Sequence, residues 1–363
     1  MKVIVYFNSL APAGGIERVI SSHINFFINK SHDVTLITKD GLESYYSIPK
    51  SVKTKSLSVK LNYDMNNRCK RFFQIFINLA KTIINFRKIY KESNADIVYV
   101  VHPLCLLEVF FSGVKLSNIF VTEHASYEAY NSIYKFIIKR LYRKVGLLTV
   151  PTKLDSSIYS TMDIKNYYLP NPLPFYPSNS SELSNKIALN IGRLVNDKRH
   201  ELLIHIWAKS RAKELGWKLK IIGVGENYKD IVKLIKKMGL EDCILLSNIT
   251  TKIVKEYLES SLFLLTSINE GFGLVLAESM ACGVPCISFN CPSGPRDIIR
   301  DSFNGYLIDE GSIDLYINRL NKLMESESLR IEFGRNAKID ILKFEEKNIS
   351  EQFSNLISNS FRK

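Results

Sequence analysis

The chain has 363 residues, 46% hydrophobic and 23% charged, with a formal net charge of +13. That length holds two domains of ordinary size, each with its own core, and the composition excludes an intrinsically disordered chain. The charge is lopsided: residues 1–175 carry 23 Lys and Arg against 12 Asp and Glu, the remainder 26 against 24, so an anionic partner would meet the first half.

The opening run MKVIVYFNSL is too short in apolar residues for a signal peptide and reads as a first strand. No stretch approaches the roughly 20 apolar residues of a membrane span, so the chain is expected not to cross a membrane. Short β-branched runs then alternate with helical periods, the grammar of parallel α/β sheets. In the first half the strands are 2–7, 33–38, 96–101, 118–123 and 146–151, with helices near 17–29, 68–92, 104–111 and 131–144. The segment LPNPLPFYPSNSSELSN, 169–185, holds four prolines and reads as a linker or hinge. Strands resume at 186–193, 218–223, 243–248, 262–267 and 285–290, with helices near 199–213, 227–237, 252–259, 273–282 and 312–324. The expected domains are 1–168, a linker 169–185, 186–342, and a C-terminal helix in 343–363 that returns toward the N-terminal domain. Two open parallel sheets joined by a hinge would face each other across one cleft, with ligands outside the strand carboxyl ends.

The segment LLTSINEGFGLVLAESMACGVP (264–285) is the most informative. Glu270 falls on the turn before a helix and Glu278 inside it. Paired carboxylates suit vicinal hydroxyls, and the helix N-terminus offers N–H groups to phosphate oxygens. A capped amphipathic helix has the same spacing, so spacing alone leaves both readings open. Further segments follow the same order: APAGGIERV (11–19), IGRLVNDKRHELLI (191–204), IIGVGEN (221–227), CGVPCISFN (282–290) and FNGYLI (303–308). Arg193 and Lys198 follow a strand end, where cations suit a pyrophosphate, although Arg199 competes with Lys198 for that role. His124 ends a strand in VTEHAS, with Glu123 pointing to the opposite side.

Taken together, these segments resemble the retaining glycosyltransferases of family 4, with their E-x7-E motif and GT-B fold: two Rossmann-like domains with parallel sheets facing across a cleft. The resemblance covers nearly the whole chain. It implies transfer from a nucleoside diphosphate sugar, the expected donor being a UDP-sugar, of a hexose or N-acetylhexosamine to an acceptor hydroxyl. The N-terminal domain would receive the acceptor and the C-terminal domain the donor. Arg193 and Lys198 would bind the diphosphate, and Glu278 the ribose hydroxyls. Glu270, with the backbone of Gly271, Phe272, Gly273 and Leu274, would meet the sugar and its phosphate. Gly14 and Gly15, opening a helix capped by Glu17, would reach the phosphate, His124 the sugar's hydroxymethyl, and Asn248 in SNIT the base. Two departures stand out. Arg199 occupies the position of the family's glycine after the lysine, which puts the local turn in doubt, and Asp297 with Arg296 replaces the usual pattern in NCPSGPRDII.

No metal or cofactor is expected: there is no D-x-D triplet, and Cys282, Cys286 and Cys291 have no histidine nearby. The six cysteines are expected to be reduced thiols. The stretch 60–93 carries eight basic and two acidic residues, with Phe72, Phe73, Phe76, Leu79, Ile83 and Phe86 at helical spacing, and 134–144 adds five basic residues and no acid. Both read as helices drawn to an anionic membrane surface or as core-packed helices with a solvated basic face. No nucleic-acid motif accompanies the charge. The expected setting is the cytoplasmic inner face of the plasma membrane, with a lipid-linked or saccharide acceptor in surface polysaccharide or glycolipid assembly. The rival readings are another GT-B enzyme, such as a nucleotide-sugar epimerase or a phosphorylase, and a non-catalytic membrane or partner-binding module.

Overall fold

The computed structural model describes residues 1–59 and 68–361; residues 60–67 of the basic stretch, and the side chains of Arg68, Cys69, Arg71 and Phe72, lie outside the described set. The chain forms two compact units, Met1–Pro172 with Lys347–Lys363, and Leu173–Glu346.

Unit one runs β1 (Lys2–Phe7), α1 (Gly15–Asn29), β2 (Asp33–Thr38), β3 (Lys53–Ser56), α2 (Arg68–Ser93), β4 (Ile97–Val100), α3 (Pro103–Phe111), β5 (Ile119–Thr122), α4 (Ser132–Leu141), β6 (Leu147–Val150), α5 (Lys153–Thr161) and β7 (Tyr167–Tyr168). Unit two runs β8 (Ile187–Ile191), α6 (His200–Lys209), β9 (Lys218–Ile222), α7 (Tyr228–Lys237), β10 (Ile244–Ser247), α8 (Ile253–Leu258), β11 (Leu262–Leu265), α9 (Leu274–Ala281), β12 (Cys286–Phe289), α10 (Pro295–Ile298), β13 (Gly305–Ile308), α11 (Ile313–Glu325) and α12 (Glu327–Asp340). The last helix, α13 (Glu346–Phe361), packs Ile349, Phe353 and Ile357 into the core of unit one.

Every named strand pair is parallel, in the orders β3-β2-β1-β4-β5-β6-β7 and β10-β9-β8-β11-β12-β13. The central strands are buried on both faces, and alternation decides which side chain serves which core. Val3, Val5, Ile97 and Tyr99 join α1 and α13, whereas Ile4, Tyr6, Val98 and Val100 join Phe86 of α2, Leu106 and Val109 of α3 and Ile138 of α4. Unit two repeats the arrangement, with Leu262 and Leu264 packed toward α6 and α11, and Phe263 and Leu265 toward α8 and α9.

The strand order reverses between β1 and β4 in unit one and between β8 and β11 in unit two. At such a switch point the loops leaving two adjacent strands diverge, opening a crevice at their carboxyl ends. In unit two those loops carry Arg193, Lys198 and Glu270. Among the described residues no helix is long and apolar enough to cross a membrane.

Candidate active site

Because β8 and β11 pair directly, with Leu262 opposite Ala188, the loop after each lies beside the other. Ile268 N–H donates to the Asp197 carbonyl at 2.8 Å, and the Thr266 hydroxyl donates to the Lys198 carbonyl at 3.1 Å. These bonds bring Lys198 Nζ to 2.5 Å from Glu270 Oε1. Both side chains are largely withdrawn from solvent, so their attraction is screened less than that of a surface pair. The sequence separates them by 72 positions, and only the strand order shows that they meet.

The turn at Arg199 resolves the departure from the family glycine. Arg199 has φ 48° and ψ 47°, the left-handed conformation that costs a residue with a Cβ roughly 1–2 kcal/mol. Its guanidinium offsets this by donating to the carbonyls of Thr266 (2.6 Å) and Ser267 (3.2 Å) and to Glu310 Oε2 at 2.9 Å. Arg199 is therefore committed to the scaffold, and Lys198 is the cation turned to Glu270. Arg193, on the same loop, is exposed and has no ion pair among the described residues. The loop is backed by the glycines of IIGVGEN: a Cβ at Gly223 would stand 1.9 Å from the Gly192 carbonyl oxygen, and one at Gly225 2.3 Å from that of Leu194.

Around Glu270 the backbone is equally fixed. Its carbonyl accepts from the Ser293 hydroxyl at 3.0 Å, and the Phe272 ring packs edge-on against Phe344. Gly273, at φ 87°, caps α9, and Leu274 is its first residue. The first return bond of this helix runs from Leu276 N–H to the Gly273 carbonyl at 2.9 Å. The leading N–H groups thus belong to the set that a helix leaves without an internal partner. Glu278 lies one turn further on, buried, and its Oε2 accepts from the Tyr257 hydroxyl at 2.8 Å. Tyr257 belongs to α8 and was not legible as a site residue; its signal is only a buried tyrosine across from the carboxylate. Asp297 and Arg296 lie in α10, where Arg296 Nε donates to Asn290 Oδ1 at 3.2 Å. Asn248 is exposed just beyond β10. The strand order places β10 three positions from β11, roughly 14 Å at ordinary strand spacing.

The remaining candidates belong to unit one. Gly14 is the N-cap of α1, and the Glu17 carboxylate folds over it, since a Cβ at Gly14 would stand 2.1 Å from Glu17 Oε2. His124 is buried two residues beyond β5, with its ring centroid 6.2 Å from that of His23. Burial pushes its imidazole down to about 4, opposed by the neighbouring Asn171 side chain, so it is neutral at pH 7. Glu123 turns to the other side, where its carboxylate accepts from the hydroxyls of Tyr130 (2.5 Å) and Tyr142. A further polar group at this sheet edge escaped sequence reasoning. Lys39 Nζ meets Glu108 Oε1 at 2.7 Å, and the Tyr6 hydroxyl donates to Glu108 Oε2 at 2.7 Å. Tyr6 and Glu108 stand in apolar runs and Lys39 in a polar turn after β2, so no local pattern announces the group.

Cys105, Cys243, Cys282, Cys286 and Cys291 are buried free thiols, and burial raises Cys282, Cys286 and Cys291 to about 12. Among the described residues no group of three or more His, Cys, Asp or Glu is placed to hold a metal ion.

Two parallel-sheet, Rossmann-like units define the GT-B fold. A variant of TarM from S. aureus, solved with fondaparinux, alpha-GlcNAc-glycerol and UDP, has this fold at a TM-score of 0.81 and 17% identity, covering 98% of this chain and 99% of that one. Residues 177–340 match the family of glycosyl transferases group 1, so unit two carries a domain of that kind. The chain is 29% identical over 350 residues to the amylovoran biosynthesis glycosyltransferase AmsD of Erwinia amylovora, covering 93% of each. It is 26% identical over 347 residues to the lipopolysaccharide 1,6-galactosyltransferase of Salmonella typhimurium, covering 90% of each.

Proposed function

We propose that the protein is a retaining glycosyltransferase that moves a hexose or N-acetylhexosamine from a nucleoside diphosphate sugar to an acceptor hydroxyl. The observation that carries this reading is the Lys198–Glu270 pair at the switch point of unit two, with Glu278 on the helix that follows. In this reading Lys198 is shared between the Glu270 carboxylate and the donor diphosphate, which Arg193 and the leading N–H groups of α9 also meet. Negative charge that develops on the leaving diphosphate then falls on fixed donors. Glu278, oriented by Tyr257, takes the ribose diol. The acceptor oxygen attacks the anomeric carbon on the face from which the phosphate departs. The new C–O bond forms as the C–O bond to phosphate breaks, and the acceptor proton passes to the leaving phosphate. A carboxylate paired with Lys198 is a poor nucleophile, which favours this course over a covalent intermediate on Glu270. Roles for Gly14, Gly15, His124 and Asn248 rest on the family resemblance alone.

The relatives are named for amylovoran and lipopolysaccharide, and the TarM neighbour was solved with UDP. On that basis we assign a UDP-sugar donor and a lipid-linked or other saccharide acceptor in surface polysaccharide or glycolipid assembly, at the cytoplasmic face of the membrane. The test is UDP release from UDP-sugars with and without a lipid-linked saccharide. Release that depends on acceptor supports transfer, whereas conversion of the nucleotide sugar without acceptor would establish the epimerase reading instead.

Two further results are expected. Glu278→Gln still accepts from Tyr257, so the fold is retained, but the ribose loses a charged partner. The donor KM should rise about 10- to 100-fold, with turnover changed far less, because the ribose contact is alike in ground and transition states. Equal losses in kcat and kcat/KM would remove Glu278 from the ribose. Activity should also survive excess EDTA, because cations and amides alone hold the diphosphate. Loss in EDTA with rescue by manganese or magnesium would contradict that.

A further inference from the structure

Helices α2, α3 and α4 lie on one side of the unit-one sheet and share its core through Phe86, Leu106, Val109 and Ile138. Their outward sides are apolar where a solvated helix is ordinarily polar. On α2, Phe76, Ala80 and Ile84 follow one another at four-residue steps and are exposed, Phe76 by 65% and Ile84 by 66%. On α3, Leu104, Leu107 and Phe111 face away from Cys105, Leu106 and Val109, and Phe111 is 56% exposed. On α4, Ile133 and Phe136 are exposed one turn apart.

The three helices are neighbours. The Ser112 hydroxyl donates to the Ile83 carbonyl at 3.1 Å, which sets the carboxyl end of α3, and so Phe111, beside Ile84. At the other end of α3 the His102 ring stands 4.7 Å from that of Tyr134 on α4. The three apolar stripes therefore lie on neighbouring helices, α4, α3 and α2. Cations flank them: Lys81 and Lys88 on α2, Lys139 and Arg140 on α4, all exposed. Arg140 also lies over the Phe136 ring at 5.3 Å. The only acids on the three helices are Glu92, beside Lys55 at 3.8 Å, and Glu108, buried against Lys39.

Exposed apolar stripes on neighbouring helices mark an interaction surface, and the flanking charge selects the partner. A second copy of this chain would bring the same cations against these, and like charges oppose that contact. A bilayer carrying anionic lipid offers an apolar layer beneath a negative surface, the complement of this face. We propose that α2, α3 and α4 form a membrane-docking face, with the apolar stripes inserted at headgroup depth and Lys81, Lys88, Lys139 and Arg140 against anionic headgroups. This reading does not depend on the donor chemistry of unit two.

The test is co-sedimentation of the full chain with vesicles of phosphatidylglycerol in phosphatidylcholine, and of phosphatidylcholine alone, at low and high salt. The protein should bind the mixed vesicles at low salt and be partly released at high salt. The triple variant Phe76→Ser, Phe111→Ser, Phe136→Ser should lose about tenfold or more in partition. Its melting temperature should hold, because the three rings are exposed. Neutralising Lys81, Lys88, Lys139 and Arg140 to Gln should abolish the preference for phosphatidylglycerol. Both variants should keep the nucleotide response of the parent, so failure here leaves the donor-site reading standing, and the reverse. Protein that stays in the supernatant at low salt, or a triple variant that binds as well as the parent, overturns the proposal. So does a concentration-dependent dimer that the triple variant dissolves.

Discussion

Arg193→Ala and Lys198→Ala are each expected to lower kcat/KM for glycosyl transfer by about 2–4 kcal/mol, roughly 30- to 1,000-fold. Both cations lie on the loop after β8 and would act where charge appears on the leaving diphosphate, so most of the loss should fall in kcat. The two substitutions differ in their structural consequences. Arg193 is exposed with no ion pair among the described residues, and its truncation should leave stability unchanged. Lys198 neutralises Glu270 at 2.5 Å, so its removal leaves a largely buried carboxylate without its cation. Adding Glu270→Gln to Lys198→Ala should restore stability without restoring turnover. Near-normal turnover in both single variants would mean that the diphosphate is held elsewhere.

The second large effect is on stability and its pH dependence, and it centres on Glu123. This carboxyl is wholly buried, and burial raises it to about 8 from an ordinary 4.5, although the Tyr130 and Tyr142 hydroxyls favour the charged form. The folded state therefore keeps a proton that the unfolded chain releases. The stabilisation is complete below about 4.5 and is lost as pH rises toward about 8, at a slope of up to about 1.4 kcal/mol per pH unit. Glu123→Gln carries no such proton and retains an acceptor for the tyrosines. Denaturant unfolding of unit one, followed from about pH 5 to about pH 8, should fall less steeply in the variant by that slope. Parallel curves would show that Glu123 is ionised in the folded protein.

Much of the fold was legible because buried parallel strands write themselves as β-branched runs. The runs at 2–7, 33–38, 218–223 and 262–267 coincide with β1, β2, β9 and β11 to within two residues. What escaped had little apolar pattern. β3 is Lys-Thr-Lys-Ser at a sheet edge, three of its four residues exposed. β7 is two residues long, and α12 presents Gly334 to the Gly283 carbonyl where a periodic reading expects a side chain. The basic stretch held a surprise within its described part. Phe86 is buried, but Phe73 and Phe76 are exposed, because no described element covers every side of the first half of α2. For the site, local motifs pointed to the loops but not to their pairings. The choice between Lys198 and Arg199 turned on a left-handed residue, two backbone carbonyls and one carboxylate, none of which spacing encodes. The Tyr257–Glu278 and Lys39–Glu108 partnerships likewise join separate elements that only the sheet order brings together.

The central claim is that unit two binds a nucleoside diphosphate through Lys198 and Glu278. Its most direct measurement is a thermal-shift titration of the parent, Lys198→Ala and Glu278→Gln with UDP and with the other nucleoside diphosphates. Ligand that binds only the folded protein raises the melting temperature, by about 2.7 kcal/mol of stability at a hundredfold excess over Kd. The account predicts that one diphosphate, expected to be UDP, shifts the parent, and that each variant needs at least about tenfold more for the same shift. A parent that responds to no nucleotide, or variants that respond as the parent does, would contradict it.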